Sequence, residues 1–211
     1  MRHTFIAVEG PIGVGKTSLV NSLAGQMDDP LVVLEEIDNP FLADFYQDKA
    51  GSAFRTQLYF LLARYEQLRG LSQRELFRRK VVADFTFEKD KIFAYLTLAD
   101  SELLIYDRLY DLLTRQVPSP DMVVYLTAGV DTLMRRIRGR DRDFEAGIDK
   151  TYLREVNRAY NHYFFHYARS PLLVVNTDEI DFVNDPDDLT DLIGQIAAAD
   201  RGTSYYVPRH G

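Results

Sequence analysis

The sequence predicts a three-layer α/β fold, a five-stranded parallel sheet flanked by helices. Three observations predict it. Short, nearly continuous apolar runs recur along the chain, as strands buried on both faces require. Stretches with apolar residues three and four apart lie between them, as helices covering such a sheet require. The chain has 211 residues, 46% of them hydrophobic, which suits one domain with a full core.

Each element has its own signal. Phe5-Ile6-Ala7-Val8 is an apolar run and reads as the first strand. Leu19, Val20, Leu23 and Ala24 mark one face of a helix that begins near Thr17. Leu31-Val32-Val33-Leu34 is the second strand and ends on Glu35-Glu36, after which Asp38-Asn39 and Pro40 punctuate the chain. Phe54, Leu58, Leu61, Leu62, Tyr65 and Leu68 make residues 52–71 a long amphipathic helix. Val81-Val82-Ala83 is a short third strand that closes on Asp84.

Residues 88–116 read as two helices with a break near Asp100-Ser101, stopped by Pro118 and Pro120. Asp121–Leu126 is the fourth strand, and a helix carrying Leu133, Met134 and Ile137 follows it. Residues 149–168 are helical, with rings at Tyr152, Tyr160, Tyr163, Phe164 and Tyr167. Leu172–Val175 is the fifth strand and residues 186–199 the last helix. The domain thus runs over residues 1–200, and the tail 201–211 is expected to be loose.

Composition excludes several classes. A formal net charge of −7 argues against a general nucleic-acid or membrane-surface binder. Without cysteine there is neither a disulfide framework nor a thiolate metal site. No leader-like segment precedes the first strand, and no run of about 18 apolar residues exists to span a membrane. A cytoplasmic protein is expected. His162 and His166 are four apart but have no third ligand at metal spacing, so no metal site is assigned to the histidines.

The segment between the first strand and first helix carries the chemistry. It reads Gly10-Pro11-Ile12-Gly13-Val14-Gly15-Lys16-Thr17-Ser18: a glycine, four residues, then Gly-Lys-Thr, in a strand–loop–helix context. Glycines let successive backbone N–H groups turn toward phosphate oxygens. The new helix adds its free N–H groups and the positive end of its dipole. Lys16 supplies a mobile charge for the β- and γ-phosphates, and Thr17 a hydroxyl for Mg²⁺. The loop therefore predicts binding of a nucleoside triphosphate such as ATP, with Mg²⁺.

The acceptor side is read from the other strand ends, where ligands of parallel sheets sit. Glu35 or Glu36 is positioned to take a hydroxyl proton, and Asp84 to hold Mg²⁺. Arg135, Arg136, Arg138, Arg140 and Arg142 crowd around Gly139 and suit a lid, over about residues 135–146, that neutralises phosphate charge. Gln57 and Arg64 are seven apart and share one face of the long helix.

These motifs, in this order, resemble the deoxynucleoside kinase family, especially short bacterial members that act on purine deoxynucleosides. The resemblance covers nearly the whole chain. It rests on Gly10–Ser18, Glu35–Leu42, Phe45–Asp48, Phe54–Gln57 with Arg64, Val82–Asp84 leading to Asp90–Ala94, Arg138–Glu145 and Asn176–Phe182. It implies a P-loop nucleoside-kinase fold and a set of roles. Glu36 matches best the base for the sugar 5′-hydroxyl, with Glu35 left open because the segment is one residue short and lacks the usual proline. Tyr46 matches the tyrosine on the 3′-hydroxyl, Gln57 and Arg64 the pair at the base edge, Asp90 an acid near the base, and Glu145 a sugar contact. Asp84 matches the metal-binding acid, and Arg138, Arg140 and Arg142 the lid. The 176–182 loop borders the donor adenine. Where many relatives follow the acid with an arginine, this chain has Phe85, so that cation is vacant or supplied elsewhere.

The expected activity is transfer of the ATP γ-phosphate to the 5′-hydroxyl of a deoxynucleoside, purine favoured, in nucleotide salvage. The resemblance also implies a homodimer. The helix 149–168 is a candidate for its interface, although most of its rings read as core. Two rivals are set aside. A nucleoside monophosphate kinase of thymidylate kinase type calls for an Asp-Arg pair closing the third strand, where Asp84-Phe85 stands. A non-catalytic nucleotide switch calls for Asn-Lys-x-Asp after a strand, which is absent.

Overall fold

The computed structural model describes residues 2–36, 38–47, 49, 51–73, 79–139, 148–178 and 180–206. The apolar runs form a parallel sheet. Its strands are β1 (Phe5–Glu9), β2 (Leu31–Val33), β3 (Val81–Ala83), β4 (Met122–Thr127), β5 (Leu172–Asn176) and β6 (Thr203–Tyr205), in the order β2-β3-β1-β4-β5-β6. Side chains alternate across it. Ile6, Val8, Met122, Val124 and Leu126 enter one core; Phe5, Ala7, Val123 and Tyr125 enter the other.

Helices α1 (Lys16–Ala24), α6 (Val130–Arg138) and α8 (Pro186–Ala198) cover the first core through Leu19, Leu23, Leu133, Ile137, Leu192 and Ile196. Helices α3 (Ser52–Gln73), α4 (Lys89–Thr97), α5 (Asp100–Leu113) and α7 (Lys150–Phe165) cover the second, and α2 (Leu42–Tyr46) is a short turn before α3. Helices α7 and α8 start where a polar side chain satisfies free N–H groups. Asp149 accepts from Tyr152 N at 2.7 Å, and Asp185, followed by Pro186, accepts from Asp187 N at 2.8 Å. The break between α4 and α5 falls at Leu98-Ala99, where the Glu102 carboxylate accepts from Ala99 N.

The rings of α7 are largely core: Tyr160 and Phe164 are buried, and Phe164 stacks on Tyr125 with centroids 4.3 Å apart.

Among the described residues the sheet has six strands, not five. Part of the segment expected to be loose forms β6, which pairs in parallel with β5 through Thr203↔Leu172, Ser204↔Leu173 and Tyr205↔Val174. The reason is non-local. Thr203-Ser204-Tyr205 has no apolar run to announce it, but the free edge of β5 offers backbone partners. Tyr206 N donates to Val174 O at 2.8 Å, and the Tyr206 ring is buried in the first core.

Candidate active site

β1 and β3 lie side by side, and the chain leaves them on opposite faces, through α1 after β1 and through α4 and α5 after β3. This divergence at the carboxyl ends of adjacent strands opens the space in which ligands of such sheets sit. The loop Gly10–Gly15 occupies it. Gly10 has φ +149°, and a Cβ there would stand 2.4 Å from Leu126 O. At Gly13, with φ +84°, a Cβ would meet Ile137 Cγ1 at 2.9 Å. Glycine at both positions lets the loop lie flat against β4 and α6, with no side chain standing between them.

Buried groups fix the loop from below. Glu9, fully buried, accepts from Gly10 N at 3.1 Å and from Thr86 N at 2.6 Å, tying the loop to the segment after β3. Burial pushes its carboxyl above the usual range, against Lys89 and Lys16. Lys16 Nζ donates to Gly10 O at 2.8 Å and Pro11 O at 3.2 Å. Desolvation, with Lys89 close by, pulls the Lys16 ammonium down to about 8.

Two cavities share the loop as a wall. The larger, about 850 Å³, lies on the α6 side. Gly13, Val14, Gly15 and Ser18 line it from the loop, and Thr177, Asp178, Ile180, Asp181 and Phe182 from the segment after β5. Arg136 forms part of this wall. It donates to Thr177 Oγ1 at 2.8 Å, Thr177 O at 2.9 Å and Val14 O at 3.3 Å, so it braces the cleft.

The smaller cavity, about 320 Å³, lies on the other side of the loop. Lys16, Thr17, Glu35, Asp84 and Lys89 form its charged end, and Leu42, Tyr46, Phe60, Arg64, Phe93, Tyr152 and Tyr160 continue it inward. This mix of aromatic walls and a few convergent charges suits a small molecule with a flat, polar ring. Tyr46 stands edge-on to Tyr152, with centroids 6.4 Å apart.

Of the two adjacent acids, Glu35 faces this cavity. Its backbone N–H donates to Asp84 Oδ1 at 2.6 Å, and its carboxylate pairs with Arg64 and with Lys89. Burial alone would raise the Glu35 carboxyl, but Lys89 and Arg64 hold it well below the usual carboxylate range. Glu36 is exposed and does not line the cavity. The expectation that favoured Glu36 is corrected as to position, since Glu35 and not Glu36 stands in the cavity: past the end of β2 the side chains still alternate, and one residue of register sends Glu36 outward.

Arg64 and Gln57 share one face of α3, as expected, and both are buried. Arg64 reaches across to Asp90 on α4 as well as to Glu35. Burial, opposed by Arg64, pushes the Asp90 carboxyl up to about 7. Asp90 Oδ2 has no hydrogen-bond partner among the described residues. Gln57 sits deeper and donates to Thr97 Oγ1 at 3.2 Å.

Asp84 and Thr17 stand together, the Thr17 hydroxyl donating to Asp84 Oδ2 at 2.8 Å. A single carboxylate and a hydroxyl at the mouth of a phosphate loop fit Mg²⁺, which takes few protein oxygens and completes its shell from phosphates and water. Arg138 is exposed at the end of α6, in a shallow recess with Asp131 and Lys150. Arg140, Arg142 and Glu145 lie outside the described residues.

Lys89 is the charged residue of this cavity that the sequence reading missed. The signal available was its place in the charged run Glu88-Lys89-Asp90-Lys91, five residues beyond Asp84 at a helix start. Glu9, the last residue of β1, serves as the loop's buried support.

A glycine loop at a strand–helix junction, with a buried carboxylate across a cavity from its lysine, defines a P-loop phosphotransferase. The profile of the deoxynucleoside kinase family matches residues 6–199. The chain is 38% identical to a deoxyguanosine kinase of Bacillus subtilis over 74% of its length and 76% of that protein's. It is 32% identical to a deoxyadenosine kinase of Dictyostelium discoideum, over 92% of its length and 79% of that protein's. A solved structure of a deoxyadenosine kinase from M. mycoides superposes with a TM-score of 0.77 at 24% identity, covering 92% of this chain and 99% of that one. The chain belongs to the deoxynucleoside kinase family. It is thus an ATP-dependent phosphotransferase acting on a nucleoside hydroxyl. Among the described residues, no helix is long and apolar enough to cross a membrane.

Proposed function

We propose that the acceptor is a purine deoxynucleoside and that its 5′-hydroxyl receives the γ-phosphate of ATP. The observation that carries this reading is the pair of cavities on the two sides of one phosphate loop. The larger suits the donor nucleotide, its adenine beside the 176–182 segment. The smaller suits the acceptor, with a carboxylate at its charged end. The names of the relatives, deoxyguanosine and deoxyadenosine kinases among them, support a purine acceptor.

The roles combine these positions with the resemblance to the deoxynucleoside kinase family. Glu35 accepts the 5′-hydroxyl proton. The oxygen bonds to the γ-phosphorus as the bond to the β-phosphate oxygen breaks, and ADP leaves. Lys16 and the loop N–H groups hold the β- and γ-phosphates. Thr17 and Asp84 would hold Mg²⁺, which when bound neutralises charge on the phosphates. Tyr46 faces the sugar 3′-hydroxyl. Gln57, Arg64 and Asp90 read the base edge, a task suited to an amide, a guanidinium and a carboxyl that can pair in two directions. By resemblance alone, Arg138, Arg140 and Arg142 close as a lid and Glu145 meets the sugar.

The working form is proposed to be a homodimer. Its interface is assigned to α5 rather than to α7. Leu104, Ile105, Leu109 and Leu112 on α5 are 38–63% exposed, whereas the rings of α7 are largely spent in the core.

The test is a panel of deoxynucleosides with ATP and Mg²⁺, scored for 5′-monophosphate. Deoxyadenosine and deoxyguanosine are expected to be converted faster than deoxycytidine and thymidine. Transfer only to monophosphates, or phosphate release without an acceptor, would overturn the reading.

A further inference from the structure

Lys89 has a position that structure alone disfavours. It is the first residue of α4, where the positive end of the helix dipole opposes a cation. Its side chain is 7% exposed, so its charge is largely stripped of water. Its ammonium lies close enough to Lys16 to disfavour the Lys16 charge. Its partner, Glu35, is already paired with Arg64. A lysine kept for packing alone would not gather these costs. The Phe93 ring, 6.0 Å from Nζ, and the Glu35 carboxylate hold the ammonium at the charged end of the acceptor cavity, beside Lys16, Thr17 and Asp84.

The residue after Asp84 is the fully buried Phe85, whose ring lies 6.0 Å from the Arg64 guanidinium. Asp84 therefore has no cation beside it in the chain. A phosphoryl group passing from the loop toward the acceptor oxygen carries charge that its surroundings must neutralise. The loop and Lys16 do so from the donor side. Among the described residues that line the cavity, the remaining cations are Arg64 and Lys89. Arg64 is spanned between Glu35 and Asp90.

We propose that Lys89 is a catalytic residue: its ammonium meets the transferring phosphoryl group from the acceptor side and then holds the 5′-phosphate of the product. This rests on the kinase reading above. Lys89 makes and breaks no covalent bond. It donates hydrogen bonds to phosphoryl oxygens while the hydroxyl proton goes to Glu35.

The experiment compares wild type with Lys89→Met and Lys89→Arg. Turnover of deoxyadenosine is measured, along with binding of deoxyadenosine and of its 5′-monophosphate by calorimetry without ATP or metal. Lys89→Met is expected to lower kcat about 10²–10³-fold, the usual loss of one charge-stabilising donor. It should weaken the monophosphate about tenfold or more while leaving deoxyadenosine affinity and its KM nearly unchanged. Lys89→Arg, which keeps the charge, should recover part of both losses. Equal weakening of nucleoside and monophosphate would make Lys89 only a strut for Glu35 and overturn the proposal. So would unchanged turnover in Lys89→Met. If Lys89→Met does not fold, the Arg variant decides: monophosphate held no more tightly than nucleoside, at wild-type turnover, overturns the proposal. A wild-type protein that phosphorylates no deoxynucleoside would instead refute the kinase reading itself.

Discussion

Glu35 and Glu36 are chain neighbours in opposite environments. One stands between a guanidinium and an ammonium inside a cavity; the other meets solvent. Glu35→Gln is expected to lower kcat about 10²–10⁴-fold, the range for loss of a positioned proton acceptor. Glu36→Gln should leave turnover and KM near wild type. The reverse outcome in steady-state assays would return the base to Glu36. The sequence could not choose between them, because the choice depends on where a three-residue strand ends and which way its last side chains alternate.

Asp90 carries a pH signature. Its folded-state pKa of about 7 exceeds its ordinary 3.8, so between those values the folded protein binds the extra proton. The associated stabilisation is complete at low pH and is lost as pH rises through about 7. The melting temperature of wild type, relative to Asp90→Asn, should therefore fall between about pH 4 and pH 7 and level off above it. A difference that stays flat across that range would mean that Arg64 keeps the carboxylate ionised throughout.

Helix α5 is the element whose sequence and surroundings disagree. It buries Tyr106 and Tyr110 on one face, yet leaves Leu104, Ile105 and Leu112 each more than half exposed on another. This apolar stripe is the contact assigned to the proposed dimer, as exposed apolar patches often mark interfaces. Leu104→Lys or Leu112→Lys is expected to weaken self-association about tenfold or more, as loss of a central interface anchor does. Sedimentation of the variants against wild type measures it, and a wild-type monomer at working concentrations would sink the assignment.

Other elements show what made the fold readable. β1, β3, β4 and β5 are apolar runs that only a doubly covered sheet accommodates, so periodicity sufficed. β6 has no such pattern, because its strand character comes from the backbone edge it completes. The phosphate loop was legible because glycine spacing encodes its geometry directly. Lys89 was not, because it belongs to the site by reach: its side chain leaves the first turn of α4 and arrives beside Glu35, 54 residues away in sequence.

At the scale of the whole molecule, the sheet separates two cores and the loop separates two cavities. α1, α6 and α8 build the side that faces the larger cleft; α3, α4 and α7 build the side that faces the smaller. Gly13 and Gly15 line both. The two cavities thus adjoin at the loop, which Glu9 anchors from beneath and Arg136 from beside. Such a party wall uncouples the tenants. On the proposed roles, side chains on α3 and α4 can drift toward a different base without disturbing how the triphosphate is held, and the donor cleft can change without remaking the sugar pocket. One reaction centre can then serve a succession of acceptors.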